Sequence, residues 1–283
     1  MIYLHTGCKY SERWDQGIKS SLIKYHQKIQ LCNIFELDLN KIKRKDCFMG
    51  RLNESCRNTK DIYPEVCDAF DDRTWPSRLE MDLYDDKFKQ FKLLSKTNSK
   101  IPDTEYVTDK TTDIGIEFPL VTKLIHGSSG KNVGLAHNRE SIPFPCIVQK
   151  YHKVDCDYRV MVIGDRTLAF KRHNSKEDFR ASGSKNLEVL ENIDPEIVRI
   201  SNLICEKFNF CTMSFDFIQD EGEWIILEIS YTYGITFYKD GVTHDVLKYS
   251  PFHVNKNNTD RQPTDSIFDM IVENRIKEWY GVL

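Results

Sequence analysis

Phe215-Asp216-Phe217-Ile218-Gln219-Asp220-Glu221-Gly222-Glu223-Trp224-Ile225-Ile226-Leu227-Glu228-Ile229-Ser230 reads as two strands joined by a tight turn. The apolar runs at 213–218 and 224–229 flank Asp220-Glu221-Gly222, a hairpin signal. Asp216 and Glu228 stand on apolar backgrounds, FDFI and ILEIS, where a lone carboxylate is costly. Two readings fit. Facing carboxylates on rigid strands suit a hard, oxygen-seeking cation such as Mg²⁺. Salt bridges to lysine or arginine elsewhere would also satisfy them.

Upstream, residues 195–208 carry a helical period, and strands are predicted at 146–151, 159–163 and 167–170, the last two joined by Gly164-Asp165. The strand predicted at 118–124 ends in Lys123 and runs into HGSSGKN. Backbone N–H groups of Gly127-Ser128-Ser129-Gly130 can approach phosphate oxygens without side-chain obstruction. A plain surface turn is the other reading of that loop. It is not a Walker A loop, because GxxxxGK[ST] would need glycine at 125 and serine or threonine at 132, where Ile125 and Asn132 stand. Arg159, Lys171, Arg172 and Arg180 form a basic run, with Arg180 in NSKEDFRASGS (174–184), which reads as a mobile loop able to close over a ligand. Before these, 85–97 has helical spacing, with Phe88, Phe91 and Leu94 on one side.

The N-terminal part reads as a small α/β lobe: a strand at 2–4, a helix through Ile18, Leu22 and Tyr25, then apolar runs at 31–39 and 47–49. KIKRK (41–45) reads as a solvated connection and Arg51 as a surface arginine, with a substrate carboxylate as its alternative partner. Lysine plus arginine number 40 against 43 aspartate plus glutamate, so the formal charge of -3 gives no pull towards nucleic acid or an acidic membrane. With no apolar run of about 18 residues, the chain is expected to be cytoplasmic. The nine cysteines show no CxxC pair and are expected mostly as buried thiols, with no catalytic nucleophile. His126 and His173 have no zinc-like spacing.

Taken in order, DDKFKQFKLL (85–94) with IPDT, FPLVTKLIHGSSGKNV (118–133), IVQKYHKVDCDYRVMVIGD (147–165), KRHNSKEDFRASGS (171–184) and FDFIQDEGEWIILEIS resemble the ATP-grasp superfamily. The branch they resemble holds glutathione synthetase and the RimK-type ligases. The resemblance covers residues 85–230. It implies an α/β (α+β) ATP-grasp fold: an N-terminal α/β domain at 1–80, a small lobe with the glycine-rich loop at 81–148, and a C-terminal lobe with the metal site at 149–283, the last two sandwiching ATP.

The resemblance also implies residue roles. Lys87 and Lys123 match lysines that reach nucleotide phosphates, and the loop Gly127, Ser128, Ser129 and Gly130 closes over them. Gln149, Lys150 and Tyr151 match the linker that meets adenine. Asp157 and Arg159 match Asp-x-Arg, with the arginine facing the acyl-phosphate side; Arg180 matches an arginine near the γ-phosphate, and Lys171 completes the catalytic cations. Asp216, Glu228 and Ser230 stand at the magnesium ligands, for one or two Mg²⁺ ions, with Mn²⁺ able to substitute.

Two departures stand out. Lys150 replaces the usual acidic residue of the linker, and Ser230 replaces the usual asparagine, a weaker ligand for a second ion. The implied activity is an ATP-dependent carboxylate–amine ligase acting on small molecules, alone or as a homo-oligomer, in making a surface glycan or a small peptide-like metabolite. A phosphotransferase acting on a hydroxyl and a non-catalytic ATP-binding module are the alternatives. The aromatic tail of Tyr231, Tyr233, Tyr238, His244, Tyr249 and His253 reads either as an acceptor pocket or as plain packing.

Overall fold

A computed structural model describes residues 1–9, 11–56, 58–126, 132–174, 178–181, 187–190, 192–239, 242–245, 252–255, 261–263 and 266–281. The chain opens with β1 (Ile2–His5), α1 (Glu12–Lys24), β2 (Ile29–Cys32), β3 (Cys47–Met49), α2 (Thr59–Ala69) and β4 (Thr74–Trp75). These strands pair in parallel in the order β2-β1-β3-β4. Parallel neighbours need crossovers, which α1 and α2 supply. The sheet is covered on both sides, so Cys47, Phe48 and Met49 are all buried. The apolar run at 31–39 is mostly not strand: beyond Cys32 it forms a 3₁₀ turn at Ile34–Glu36, capped by the Asn33 side chain. That cap ends the pairing.

A short helix α3 (Arg78–Leu83) follows, with a capping box between Ser77 and Glu80. Glu80 also accepts from the Cys211 amide at 3.0 Å, which ties this segment to a residue 131 positions away in sequence. Next come α4 (Lys87–Leu94), β5 (Thr104–Val107), β6 (Leu120–Leu124), β7 (Val133–Ala136) and β8 (Cys146–Lys150). The four strands form an antiparallel sheet in the order β5-β8-β6-β7. Its core is its own: Val107, Leu120, Ala136, Ile142, Cys146 and Val148 cluster apart from the rest.

The largest sheet comprises β9 (Cys156–Ile163), β10 (Arg166–His173), β11 (Leu187–Val189), β12 (Thr212–Asp220), β13 (Glu223–Ser230), β16 (Phe252–Asn255) and β17 (Arg261–Pro263). Its order is β13-β12-β9-β10-β16-β17, with β11 also on β10. Helix α5 (Pro195–Phe208) precedes β12, a β14 (Thr236–Lys239) to β15 (Val242–Asp245) hairpin stands apart, and α6 (Ile267–Tyr280) closes the chain. Both hairpin turns come from local chemistry. Gly164 has φ 61° and a Cβ there would collide with Asn274, while Glu221 and Gly222 both take positive φ, as a two-residue turn of this hand requires. Helix α5 starts at an Asp194 cap with Pro195 in its first turn and ends at left-handed Asn209.

One core joins the first sheet to the largest one. Trp14, Ile18 and Leu22 of α1 pack in the same cluster as Phe215, Ile226, Tyr231, Tyr233 and Ile271. Tyr231 and Tyr233 are therefore packing residues: the Tyr231 hydroxyl donates to the Leu52 carbonyl, and the Tyr233 and Thr212 hydroxyls are 2.7 Å apart. The acceptor-pocket reading of these two is corrected by their burial. Tyr249 and the side chains of Tyr238 and His244 lie outside the described residues. Among the described residues no helix is long and apolar enough to cross a membrane.

The cysteines depart from expectation at one point: Cys8 and Cys56 form a disulfide. No sequence pattern signals it, because its partners, 48 residues apart, share no motif. The other seven are free, and burial pushes the thiols of Cys32 up to about 12 and of Cys67 and Cys146 up to about 11. Such thiols are poor nucleophiles.

Candidate active site

β12 sits at the centre of the candidate site. In register, Asp216 faces Arg159 of β9 on one side and Glu228 of β13 on the other. Side chains on one strand alternate between faces, so all three project from the same face. Arg159 grips Asp216 with both prongs of its guanidinium, Nε to Oδ1 and Nη2 to Oδ2, each at 2.8 Å. Arg172 of β10 makes the same fork with Asp157, at 2.6 Å twice, and its Nη2 also lies 2.9 Å from Asp216 Oδ2. Two carboxylates and two guanidiniums thus form one network.

Burial pushes the Asp216 carboxyl up, but Arg159 and Arg172 more than offset this and hold it well below the usual carboxylate range. Asp157 is raised, by burial first, with Arg172 acting against it. Arg172 is only 6% exposed. Lys171 does not join them. As the next residue along β10 it points to the opposite face, where its Nζ lies 5.6 Å from the Tyr158 ring centre and 3.6 Å from Glu188. Its expected place among the catalytic cations is corrected by strand alternation.

A cleft opens between the small-lobe sheet and β13. Phe91, Leu94, Ile101, Ile147 and Ile226 form its apolar wall, and Lys87, Lys123, Gln149 and Glu228 its polar side. Lys87 Nζ donates to Glu228 Oε1 at 2.8 Å. Lys123 owes its position to a β-bulge. Pairing shifts from Asp216↔Glu228 to Phe217↔Ile226, which leaves Leu227 without a partner in the ladder, and its carbonyl accepts from Lys123 Nζ at 3.0 Å. Burial, with Lys87 nearby and against the pull of Glu228, lowers Lys123 to about 8.

The remaining expected residues fall as follows. Gln149 is buried and donates to Thr104 Oγ1 at 2.9 Å; Lys150 is exposed, with its amide held by the Asp103 carbonyl at 2.9 Å. Tyr151 meets Phe179 edge-on at 5.9 Å. Arg180 is clamped to Asp178 and reaches the Val133 carbonyl at 3.2 Å, so segment 178–181 bridges to the strand after the glycine loop. Gly127, Ser128, Ser129 and Gly130 lie outside the described residues.

The donor set suits a magnesium ion. It consists of oxygens only, and no described residue bonds the second oxygen of Glu228. The Ser230 hydroxyl donates its proton to the Thr232 carbonyl at 2.6 Å, which leaves its lone pairs available.

Sequence reasoning gave no separate role to Arg172 or the Leu227 carbonyl. The first had a signal: with a two-residue turn at Gly164-Asp165, counting back places Arg172 opposite Asp157. A bulge leaves no such signature. Arg51 is not a plain surface residue: its Nε donates to Thr232 Oγ1 at 2.8 Å, beside Ser230, and its guanidinium lies 5.4 Å from the Trp14 ring centre.

The profile of the RimK-like ATP-grasp domain matches residues 84–247. A ribosomal protein bS6–L-glutamate ligase of Shigella boydii serotype 4 (strain Sb227) is 33% identical over 116 residues, covering 34% of this chain and 38% of the relative. The D-alanine–D-alanine ligase of Bacillus anthracis complexed with ATP superposes with a TM-score of 0.66 at 15% identity, over 99% of this chain and 98% of that one. The RimK domain ATP-grasp protein of Sphaerobacter thermophilus DSM 20745 gives 0.55 at 12%, over 81% and 90%. The structural likenesses carry the fold alone, and the curated match spans 38% of the relative's length; the profile spans more than half of this chain, which therefore belongs to the RimK-like ATP-grasp family.

Proposed function

We propose that the chain is an ATP-dependent carboxylate–amine ligase that forms an amide bond through an acyl phosphate. The observation that carries this reading is the meeting of two buried lysines, Lys87 and Lys123, with Glu228 in a partly apolar cleft, where Glu228 is the strand partner of Asp216. The apolar wall suits adenine, with the backbone of Gln149, Lys150 and Tyr151 beside it. The lysines suit phosphates. We assign nucleotide binding to the facing lobes at 81–148 and 149–283, and substrate contacts to 1–80 together with them.

A substrate carboxylate oxygen attacks the γ-phosphorus, and ADP leaves with the bridging oxygen. The amine then attacks the acyl carbon, loses a proton and expels phosphate. No side-chain nucleophile takes part, so the protein positions and neutralises. Lys87 and Lys123 hold the phosphates, a role we also assign to Gly127-Ser128-Ser129-Gly130 on the family's motif. Arg180, anchored on Asp178, faces the transferring group, and Arg159, fixed on Asp216 with Asp157 and Arg172 behind it, faces the acyl phosphate. Asp216, Glu228 and Ser230 would hold Mg²⁺, which supplies charge neutralisation at the phosphate oxygens. The relatives' name, a ligase of L-glutamate to a ribosomal protein, makes an amino acid the first amine to test.

ADP release across carboxylic acids paired with amino acids and amino sugars, with mass spectrometry of the products, tests the reading. It predicts amine-dependent ADP release and a product equal to acid plus amine minus water. A phosphorylated hydroxyl compound would establish phosphotransfer instead. No turnover by a folded chain that binds ATP would leave a binding module.

A pH dependence follows from Lys123. Because its folded value is lowered to about 8, its charge is present below that pH and lost above it. ATP affinity should fall as pH rises through about 8, by up to roughly tenfold per unit, with proton uptake on binding. For the free chain the sign is opposite: the cost of the buried charge is present below about 8 and is relieved between there and the ordinary 10.5. Calorimetric titration of ATP across this range reads the effect, and a Lys123→Met variant should lose the dependence. An unchanged profile in that variant would refute the assignment.

A further inference from the structure

The first lobe carries a cluster that the ligase reading does not use. Cys8 follows β1 and Cys56 follows β3, beside the carboxyl ends of two neighbouring parallel strands at the point where the strand order reverses. Their Cα atoms are 6.1 Å apart and their sulfurs are bonded. His5, at the end of β1, lies with its Nε2 3.4 Å from Cys8 Sγ. Its Nδ1 accepts from the Ile34 amide at 3.1 Å, which places the ring proton on Nε2, facing the sulfur. Gly50 lets the ring come this close, because a Cβ there would stand 2.8 Å from the His5 Cβ. Cys8 is buried, while Cys56, whose Sγ lies 3.7 Å from the Ser55 hydroxyl, is the more open residue of the pair and so the end at which attack is assigned.

We propose that Cys8–Cys56 is a reversible thiol–disulfide exchange site for low-molecular-weight thiols. A thiolate attacks Cys56 Sγ, a bond forms between those two sulfurs, and the Cys8–Cys56 bond breaks with its electron pair leaving on Cys8 Sγ. The His5 Nε2–H hydrogen bond stabilises that leaving thiolate. A second thiolate removes the first as a small-molecule disulfide and leaves Cys56 as a thiolate, which takes a proton from water. Burial lowers His5, so it acts as a neutral donor.

The consequence reaches the candidate active site by contact. Asn53, three residues before Cys56, donates to the Lys9 carbonyl at 2.7 Å and to Ser11 Oγ at 3.1 Å; Ser11 Oγ in turn donates to the Arg51 carbonyl at 3.4 Å, and Arg51 holds Thr232. Opening the bridge releases the Cys56 end of that chain of contacts. The exchange chemistry itself does not depend on ligase activity, so its test does not either.

The test is peptide mapping of the full chain after exposure to reduced or oxidised glutathione and alkylation under native conditions. Reduced glutathione should open Cys8–Cys56 while buried Cys67, Cys146 and Cys205 stay unlabelled. In the Cys8→Ser variant, oxidised glutathione should form a mixed disulfide on Cys56; in Cys56→Ser it should leave Cys8 unmodified. His5→Ala should slow opening about tenfold, and His5→Gln, which keeps an N–H donor, should recover most of the rate. Opening only under conditions that label every cysteine would overturn the proposal. So would modification of Cys8 in preference to Cys56, or one tightly held zinc ion per reduced chain bound by the same three side chains.

Discussion

Glu228→Gln should reduce ADP release by at least about a thousandfold, a loss of roughly 4 kcal/mol of transition-state stabilisation, while leaving the fold intact. Glutamine keeps the shape of glutamate, and its amide oxygen can still accept from Lys87 Nζ, now 2.8 Å from Glu228 Oε1. What it lacks is negative charge. A hard cation bridging phosphates depends on anionic oxygen, and Asp216 opposite is already shared between Arg159 and Arg172. Glu228 is about a third exposed, so the thermal midpoint should move by no more than about 2 °C. A coupled ADP assay beside a melting curve reads both quantities. Near-native turnover in this variant would remove Glu228 from the metal site.

Arg172→Met should show the reverse pattern, a loss of stability of roughly 3–5 kcal/mol. Arg172 forms a fork with Asp157 at 2.6 Å and reaches Asp216 at 2.9 Å, all three side chains being at most 14% exposed. Methionine fills much of the volume but leaves Asp157 as an uncompensated buried carboxylate and Asp216 with one guanidinium instead of two. The double variant Arg172→Met with Asp157→Asn should recover part of the loss, because it removes the charge that has been stranded. Lys171→Met, one residue away on the opposite face, should change stability by less than about 1 kcal/mol and leave turnover near normal. Urea unfolding of the three variants separates these outcomes. Equal effects at 171 and 172 would mean that the face assignment is wrong.

The contrast between Lys171 and Arg172 marks how far the sequence can be read. Alternation and turn chemistry located β9, β10, β12 and β13, and the two apolar-flanked carboxylates pointed to the strand pair that brings them face to face. Lys87 and Lys123 stood far apart in sequence and came together through the motif order that resembles the family. Less local features stayed hidden. A bulge at Leu227 depends on which residue slips when two strands pair, and the Cys8–Cys56 bridge depends on loops from two different strands. The Arg51–Thr232 contact depends on how the first lobe docks on the largest sheet. Salt bridges and magnesium are alternative partners for Asp216 in the sequence, and the network with Arg159 and Arg172 makes both compatible. One carboxylate can anchor an arginine and still offer an oxygen lone pair.

Isothermal titration of ATP with and without Mg²⁺, on the native chain and on Lys123→Met, tests most directly the claim that the cleft lined by Lys87, Lys123 and Glu228 is a nucleotide site. The account predicts one ATP per chain, tighter with Mg²⁺, and affinity at least about tenfold weaker in the variant. Absence of binding to the folded native chain, or binding that Lys123→Met leaves unchanged, would contradict it.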